Sequence, residues 1–469
     1  MNTPSLTLPE PIERLRPRLA KAVERLETKS PYAAAWLGDR RGFSISVDRQ
    51  EELVSEEEPA AGIVLTAFDG RTLRERAVGS FAAQDLESEA KTFGESLPPL
   101  DGGSRLDLAN GMTGRHDFRT AAEMPPEKLS LAEKIDHCRG LQDRLRQVDP
   151  RVVNVRIVYQ ERAETSVFRN RQSDLAQQIY RMRVGVFVIV REGETTRWNW
   201  RFKSAAGGWE SIQYDDEEVD SVVEMALRLL QAGRVDPGEH EVVTAPGVSG
   251  VLAHESFGHG VETDMFVKER ARAALYLNRR VGSPLVDIFD DPSLPGAYGM
   301  YFFDDEGYPA GRTQIVEKGI FRSGLTDLSS ATLLGVPRTA NGRRQDYGRK
   351  AYARMSNTFF GPGDSSFEDL IAAADKGVYL HKWNSGMEDP QGWGIQINCH
   401  VGQEIKDGRL TGRYFTPVVV SGYVPDVLQT IRGVTGEVVT EGGWCGKGHK
   451  ETVFVSSGGP HLWLRAKLG

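Results

Sequence analysis

The chain has 469 residues, enough for two or three domains and a core that needs no disulfide or metal staple. Its 58 Lys+Arg stand against 66 Asp+Glu, and the net charge of -8 argues against a protein that grips nucleic acid by its phosphate backbone. With 39% hydrophobic and 26% charged residues it reads as globular, not disordered.

The first predicted element is an amphipathic helix over 11–28, with Ile12, Leu15, Leu19, Val23 and Leu26 at spacings of three and four. Pro17 falls inside it and marks a kink or a start. Residues 42–79 read as short strands with a turn at Asp69-Gly70, and 85–127 as a polar, poorly periodic loop. A second helix spans 129–148, with Cys138 on its apolar stripe as a packing residue. Strands dominate 151–210, where TTRWNWRF alternates as a strand with one wet face. A third helix over 216–231 closes at Gly233 as its C′ residue. Beyond a turn at 234–239, short apolar runs alternate with turns at 305–307, 317–319 and 406–408, which is antiparallel β territory. Asp304-Asp305-Glu306 reads as part of a hairpin turn, not as a metal site.

The expected fold is therefore α+β. It has a mixed amino-terminal domain (1–235) and a β-rich, antiparallel carboxy-terminal domain (236–469). Three cysteines are too few, and odd in number, for a disulfide scaffold. The opening residues, without an apolar or basic region, do not read as a secretory signal, and the apolar run 184–190 is only strand-length. We expect a cytoplasmic protein without membrane contact.

One helical piece of the second half carries chemistry. Residues 245–264, APGVSGVLAHESFGHGVETD, place His254, Glu255 and His259 in an H-E-x-x-x-H pattern. Two imidazoles suit Zn²⁺, and a carboxylate beside the first can act on water at the metal. In the familiar H-E-x-x-H the two histidines share a helix face. Here the second follows at i+5, about 140° round a straight helix from the first. The helix must distort, for instance through a π-bulge, or end between them, and Gly258 and Gly260 ease that departure. Glu262 and Asp264 are candidates to orient an imidazole. Cys399 and His400 are adjacent on a strand and point to opposite faces, so Cys399 is expected in the core and His400 at the surface. No phosphate-binding loop, dinucleotide fingerprint or nucleophile elbow is present.

Two further blocks follow: TANGRRQDYGRKAYARMSNTFFGPGD at 339–364 and GGWCGKGHK at 442–450. With the H-E-x-x-x-H-G run they stand in the order of the signature blocks of the TldD/PmbA family, metallopeptidases also named modulators of DNA gyrase. The chain resembles the metal-bearing TldD branch over most of 240–450. It departs at Ala340, Ala353, Ser356 and Trp444, where Gly, Pro, Thr and Val are usual.

The resemblance implies Cys445 as the ligand completing a His₂Cys site, with one zinc per active chain and an open place for water. His449 is a rival donor, expected instead in solvent. Arg343, Arg344, Arg354 and Asn357 lie in the second block and suit a substrate-binding role as donors to a peptide backbone or oxyanion. The expected activity is hydrolysis of short or unfolded peptides, with Glu255 as general base. The resemblance also implies a dimer, either of the chain with itself or with a metal-less paralogue. Two rival readings are a non-catalytic partner subunit and a regulator of DNA topology acting through protein contacts, without direct nucleic-acid binding.

Overall fold

Period-two alternation runs through both halves of the chain, and long strands follow it. The computed structural model describes residues 6–79, 86–100, 106, 111–448 and 451–469. The strands of the first half are β1 (Ala33–Val47), β2 (Glu52–Glu56), β3 (Ala60–Phe68), β4 (Leu73–Gly79), β5 (Gly114–Arg119), β6 (Val152–Asn170), β7 (Ser173–Glu192) and β8 (Thr195–Ala206). They form one sheet in the order β4-β3-β1-β6-β7-β5, with β2 on β1 and β8 on the second half of β7. Thus β8 is an edge strand.

Helix α1 (Glu10–Glu27) lays Ile12, Leu15, Leu19, Val23 and Leu26 on this sheet and runs through Pro17 unbroken. Part of the stretch expected to be a loop is helix α2 (Leu86–Glu95), whose Leu86, Ala90 and Phe93 join the α1 core. A stripe of three apolar residues is too short to stand out from the polar sequence around it. The rest of that expected loop includes 85, 101–105 and 107–110, which lie outside the described residues.

Helices α3 (Leu131–Gln147) and α4 (Asp216–Arg228) cover another part of the sheet. Each opens with a reciprocal cap, Ser130 with Glu133 and Asp215 with Glu218. Cys138 is buried in their shared core, as its stripe predicts. Helix α4 does not close at Gly233. It tightens into a 3₁₀ turn at Leu229–Gln231, and the Gly233 N–H donates to Tyr414 O at 2.9 Å.

The second half contains β9 (Gly238–Thr244), β10 (Ile288–Asp290), β11 (Thr313–Glu317), β12 (Ile320–Phe321), β13 (Gly342–Arg343), β14 (Tyr352–Ala353), β15 (Asn357–Phe360) and β16 (Gly377–Asp389). It continues with β17 (Gly394–Lys406), β18 (Arg409–Phe415), β19 (Val418–Tyr423), β20 (Gly433–Val434), β21 (Val439–Lys447), β22 (Glu451–Gly459) and β23 (Leu462–Leu468). Strands β16, β9, β23, β19 and β17 pair in a closed ring, because β17 returns to β16. A second sheet runs β12-β11-β10-β15-β22-β21 and leaves β21 on its edge. Most pairings are antiparallel, as expected for this half, but β9–β16 and β15–β22 are parallel. The turns at Gly307, Gly319 and Gly408 all adopt positive φ, where glycine costs least.

Between the ring and the second sheet lies α5 (Pro246–Phe257), which carries the histidine motif. Its first two turns are apolar or small on every side, so the helix is buried all round instead of lying on a surface. Four short helices, α6 (Thr263–Val267), α7 (Leu328–Leu334), α8 (Phe367–Ala374) and α9 (Val424–Gln429), escape sequence reading because none has more than eight residues. Among the described residues no helix is long and apolar enough to cross a membrane.

The height of α5 is set by backbone contact. A Cβ on Gly250 would lie 2.5 Å from Gly458 N and 2.7 Å from Gly458 Cα, both backbone atoms of β22. Gly250 is one turn before His254, and β22 carries β21, and with it Cys445, as its partner. Replacement Gly250→Ala is therefore expected to lift the helix from β22 and cost about 1–3 kcal/mol of stability. Chemical denaturation checks this; an unchanged midpoint would show that the contact is slack.

Candidate metal centre

Helix α5 ends at Phe257, and Gly258, with φ -94° and ψ -80°, turns the chain into a 3₁₀ turn at His259–Val261. This is the second of the two outcomes expected from the i+5 spacing: the helix stops, and no bulge forms. Two glycines permit it. A Cβ on Gly258 would fall 2.4 Å from His254 O, and one on Gly260 would fall 2.5 Å from Glu388 Oε1.

The break brings the two rings together, with centroids 5.1 Å apart and planes at 87°. Cys445, on the edge strand β21, closes the group: its Sγ lies 3.0 Å from His259 Nε2. One donor atom from each of His254, His259 and Cys445 falls within 4.8 Å of the others. His449 lies outside the described residues.

The electrostatics fit a cation. Burial raises a thiol's pKa, yet the charges of His259 and His254 and their hydrogen bonds hold Cys445 well below its ordinary value. Burial likewise disfavours a charged His259, but the Cys445 sulfur and Glu262 outweigh it and raise its pKa. The Nδ1 atom of His254 is buried without a hydrogen-bond partner. A proton shared between thiolate and imidazole occupies lone pairs that a metal would take in its place.

A ring of buried charges supports the three. Glu262 Oε2 stands 3.5 Å from His259 Nδ1 and 2.9 Å from Lys447 Nζ, and Glu262 Oε1 is 3.3 Å from Arg354 Nε. Burial opposes the carboxylate, but Lys447 first, then His259 and Arg354, hold its pKa well below the usual range. Arg354 also donates to Cys445 O at 2.8 Å and approaches Cys445 Sγ at 3.3 Å. Asp264 takes no imidazole and pairs with Lys447 and Lys268.

The donors line a cavity of about 1540 Å³ bounded by α5, β8, β16 and the whole of β21. Glu255 faces this space. Its carboxylate has no hydrogen bond or ion pair with the described residues, and Gly386 of β16 leaves it room: a Cβ there would lie 2.7 Å from Glu255 Oε1. Glu388 lies nearby with both oxygens buried and unpartnered. Burial, reinforced by Glu255 and Glu262 against the pull of His259, pushes it up to about 9, so it holds its proton at neutral pH.

Four residues expected to bind substrate lie away from the cavity. Arg343, Arg344, Arg354 and Asn357 are buried, and none lines the cavity. Arg343 donates to Met355 O and Phe454 O, Arg344 pairs with Glu75, and Asn357 donates to Asp291 O. Most of their donors are taken by the fold, and among the four only Arg354 reaches the centre, through Cys445 and Glu262.

His400 is also buried, not at the surface. Its Nε2 is 2.9 Å from Trp198 O, its ring centroid is 4.2 Å from that of Trp198 with the planes tilted by 33°, and burial pushes its pKa down to about 4. Cys399 is in the core as expected, pushed up to about 12 by burial. Asp304 does begin a turn, since the Gly307 N–H donates to its carbonyl, but its side chain is buried beside Arg338.

Sequence reading missed Glu388, Lys447 and the aromatic wall of the cavity. The wall left a signal, since Trp198, Trp200 and Phe202 alternate along β8. The wet face of that strand proves to be this aromatic one, while Asn199 is buried under α4, donating to Val222 O.

Comparison with known proteins places these features in context. The PmbA/TldA metallopeptidase C-terminal domain matches residues 237–467, and the central domain of the same family matches 125–234. A protein of Methanothermobacter thermautotrophicus named a metalloprotease is 30% identical over 406 residues, covering 85% of this chain and 88% of its own. A protein of Saccharolobus solfataricus named a zinc metalloprotease TldD homolog is 28% identical over 286 residues, 60% of this chain and 63% of its own. Among solved structures, one from Thermotoga maritima superposes with a TM-score of 0.79 at 19% identity, covering 98% of this chain and 100% of its own. TldE from Thermococcus kodakarensis gives 0.72 at 17% identity, with coverage of 98% and 100%. At these identities the structures establish the shared α+β fold.

Removing Glu262 tests the supporting ring. Glu262→Gln leaves Arg354 and Lys447 buried with one carboxylate fewer, at an expected cost of about 3 kcal/mol. Divalent-metal affinity is expected to fall about tenfold or more, read by chelator competition. Unchanged affinity and stability would remove Glu262 from the account of the centre.

Proposed function

The chain belongs to the TldD/PmbA metallopeptidase family, and we propose that it is a zinc-dependent peptidase of short or unfolded peptides, with His254, His259 and Cys445 holding the zinc and Glu255 as its general base. The observation that carries this reading is the convergence of three donors beside an unpartnered carboxylate in one cavity. Two imidazoles and a thiolate suit zinc, and three protein ligands are the number typical of a catalytic site. When bound, zinc supplies Lewis acidity, polarising a carbonyl oxygen and acidifying water.

The protein groups do the rest. Glu255 follows ligand His254 directly on α5, so the anchoring that fixes the imidazole also fixes the base. Its carboxylate accepts a proton from water and returns it to the departing amine. The missing side chain at Gly386 leaves space beside that carboxylate. Substrate binding is assigned to the backbone. Among the described residues β21 pairs with no strand but β22; the Gly442 N–H is taken by Ser204 Oγ, and the remainder of its outer edge is where an extended peptide can add as a further strand along the cavity. Backbone pairing gives affinity with little demand on sequence, and a folded domain offers no free strand. One zinc per chain and a dimer, with a second copy or a metal-less paralogue, complete the proposal.

One experiment tests base and substrate together. A small domain is offered in native form and with a destabilising core mutation. The wild-type enzyme is expected to cut the destabilised form and spare the native one. Glu255→Gln is expected to cut neither, with turnover down about 100-fold or more and metal content unchanged. Equal cleavage of the two forms would contradict strand capture, and an active Glu255→Gln enzyme would contradict the general base.

A further inference from the structure

The wall of the cavity opposite α5 holds two half-buried cations, Arg183 and Lys382, that form no ion pair among the described residues. Other basic residues lining the space have partners: Arg201 and Lys203 pair with Glu218, Lys268 with Asp264, and Lys447 with Glu262 and Asp264. Arg270 is exposed to solvent. Arg183 and Lys382 have no carboxylate within ion-pair distance among the described residues. Lys382 donates to Asn199 Oδ1 at 2.9 Å and to Trp200 O, and burial pushes its pKa down to about 8.

Arg183 is the more telling of the two. Its guanidinium is 3.6 Å from the centroid of the Phe202 ring and 4.3 Å from that of Trp444. The Phe202 platform is built into the sheet. A Cβ on Gly185 would come within 2.1 Å of the Phe202 ring, so the ring lies on β7 where Gly185 leaves the strand bare, two residues from Arg183. Contact with both rings fixes the guanidinium and leaves its N–H edge as the outlet for hydrogen bonding. Its Nε is buried without a partner, and burial has lowered its pKa to about 10. A desolvated guanidinium with an unused edge presents the fork that carboxylates accept.

Its position ties it to the reaction. Trp444 is the residue before Cys445 on β21, and successive side chains of a strand point to opposite faces. A peptide paired along the β21 edge would turn alternate groups toward the metal donors and toward Arg183. We propose that Arg183 is a carboxylate-binding subsite of the cavity, taking an acidic side chain or a free carboxyl terminus of a peptide held along β21. The inference rests on reading the cavity as a peptide site.

The test uses one unstructured peptide sequence in four versions, with either Glu or Gln throughout the positions near the cleavage point and with either a terminal acid or an amide. Cleavage by the wild-type enzyme and binding to zinc-loaded Glu255→Gln protein are both measured. The carboxylate version is expected to be preferred about tenfold or more, the scale of a charged hydrogen bond. The arm that carries the preference, side chain or terminus, identifies the source of the carboxylate. In Arg183→Gln the ratio is expected to fall to one, and in Arg183→Lys, which keeps the charge and loses the fork, to an intermediate value. The ratio is internal to each variant, so partial unfolding does not move it. Binding preference without cleavage of any peptide would keep the subsite and overturn the peptidase reading. A ratio of one in the wild type, or a ratio unchanged in Arg183→Gln, would overturn the subsite.

Discussion

A straight helix cannot bring His254 and His259 to one ion, and much of the site follows from how that constraint is met. The five-residue spacing sets the side chains about 140° apart on a continuous helix. The chain solves this by ending α5 at Phe257 and folding His259 back on a 3₁₀ turn. Ending a helix inside a core strands backbone groups, and here they are recovered locally: the Gly258 N–H donates to His254 O, and Leu325 exchanges backbone hydrogen bonds with Val261 and Thr263. The break needs residues without side chains where it is tightest, which accounts for Gly258 and Gly260. It also needs α5 at a fixed height, which accounts for the backbone contact between Gly250 and Gly458.

The second requirement is charge. A buried thiolate with two imidazoles would be costly in isolation. The surrounding groups alternate in sign outward from Cys445: the two histidines and Arg354, then Glu262, then Lys447, then Asp264. Each group is held by at least one neighbour of opposite sign, and desolvation is offset around the cluster instead of at one pair. Arg354 joins the two layers by touching both Cys445 and Glu262. That explains a buried arginine in a block whose other buried arginines, Arg343 and Arg344, bind elsewhere in the fold.

What was legible in the sequence follows the range of the signal. The H-E-x-x-x-H pattern and the need for a helix break are local, and both could be read from residues 245–264. The long strands 152–170 and 173–192 and the stripe of α1 are periodic over enough residues to be plain. Cys445 lies 186 residues from His259 and entered only through the family's third block. That Arg343, Arg344, Arg354 and Asn357 lie buried outside the cavity was hidden for the same reason. A polar side chain can donate to substrate or to its own fold, and only the packing decides which. The His400 expectation failed because alternation tells which residues share a face, not whether the other face is covered. The short helices and α2 gave too few periods to register.

The central claim is a zinc ion held by two histidines and the thiolate of Cys445. Zinc X-ray absorption on the native protein tests it most directly. The account predicts one sulfur neighbour at about 2.3 Å and two imidazole nitrogens at about 2.0–2.1 Å, with the sulfur signal lost in Cys445→Ser. A shell of nitrogen and oxygen alone in the native protein, or a sulfur signal that survives in Cys445→Ser, would contradict it.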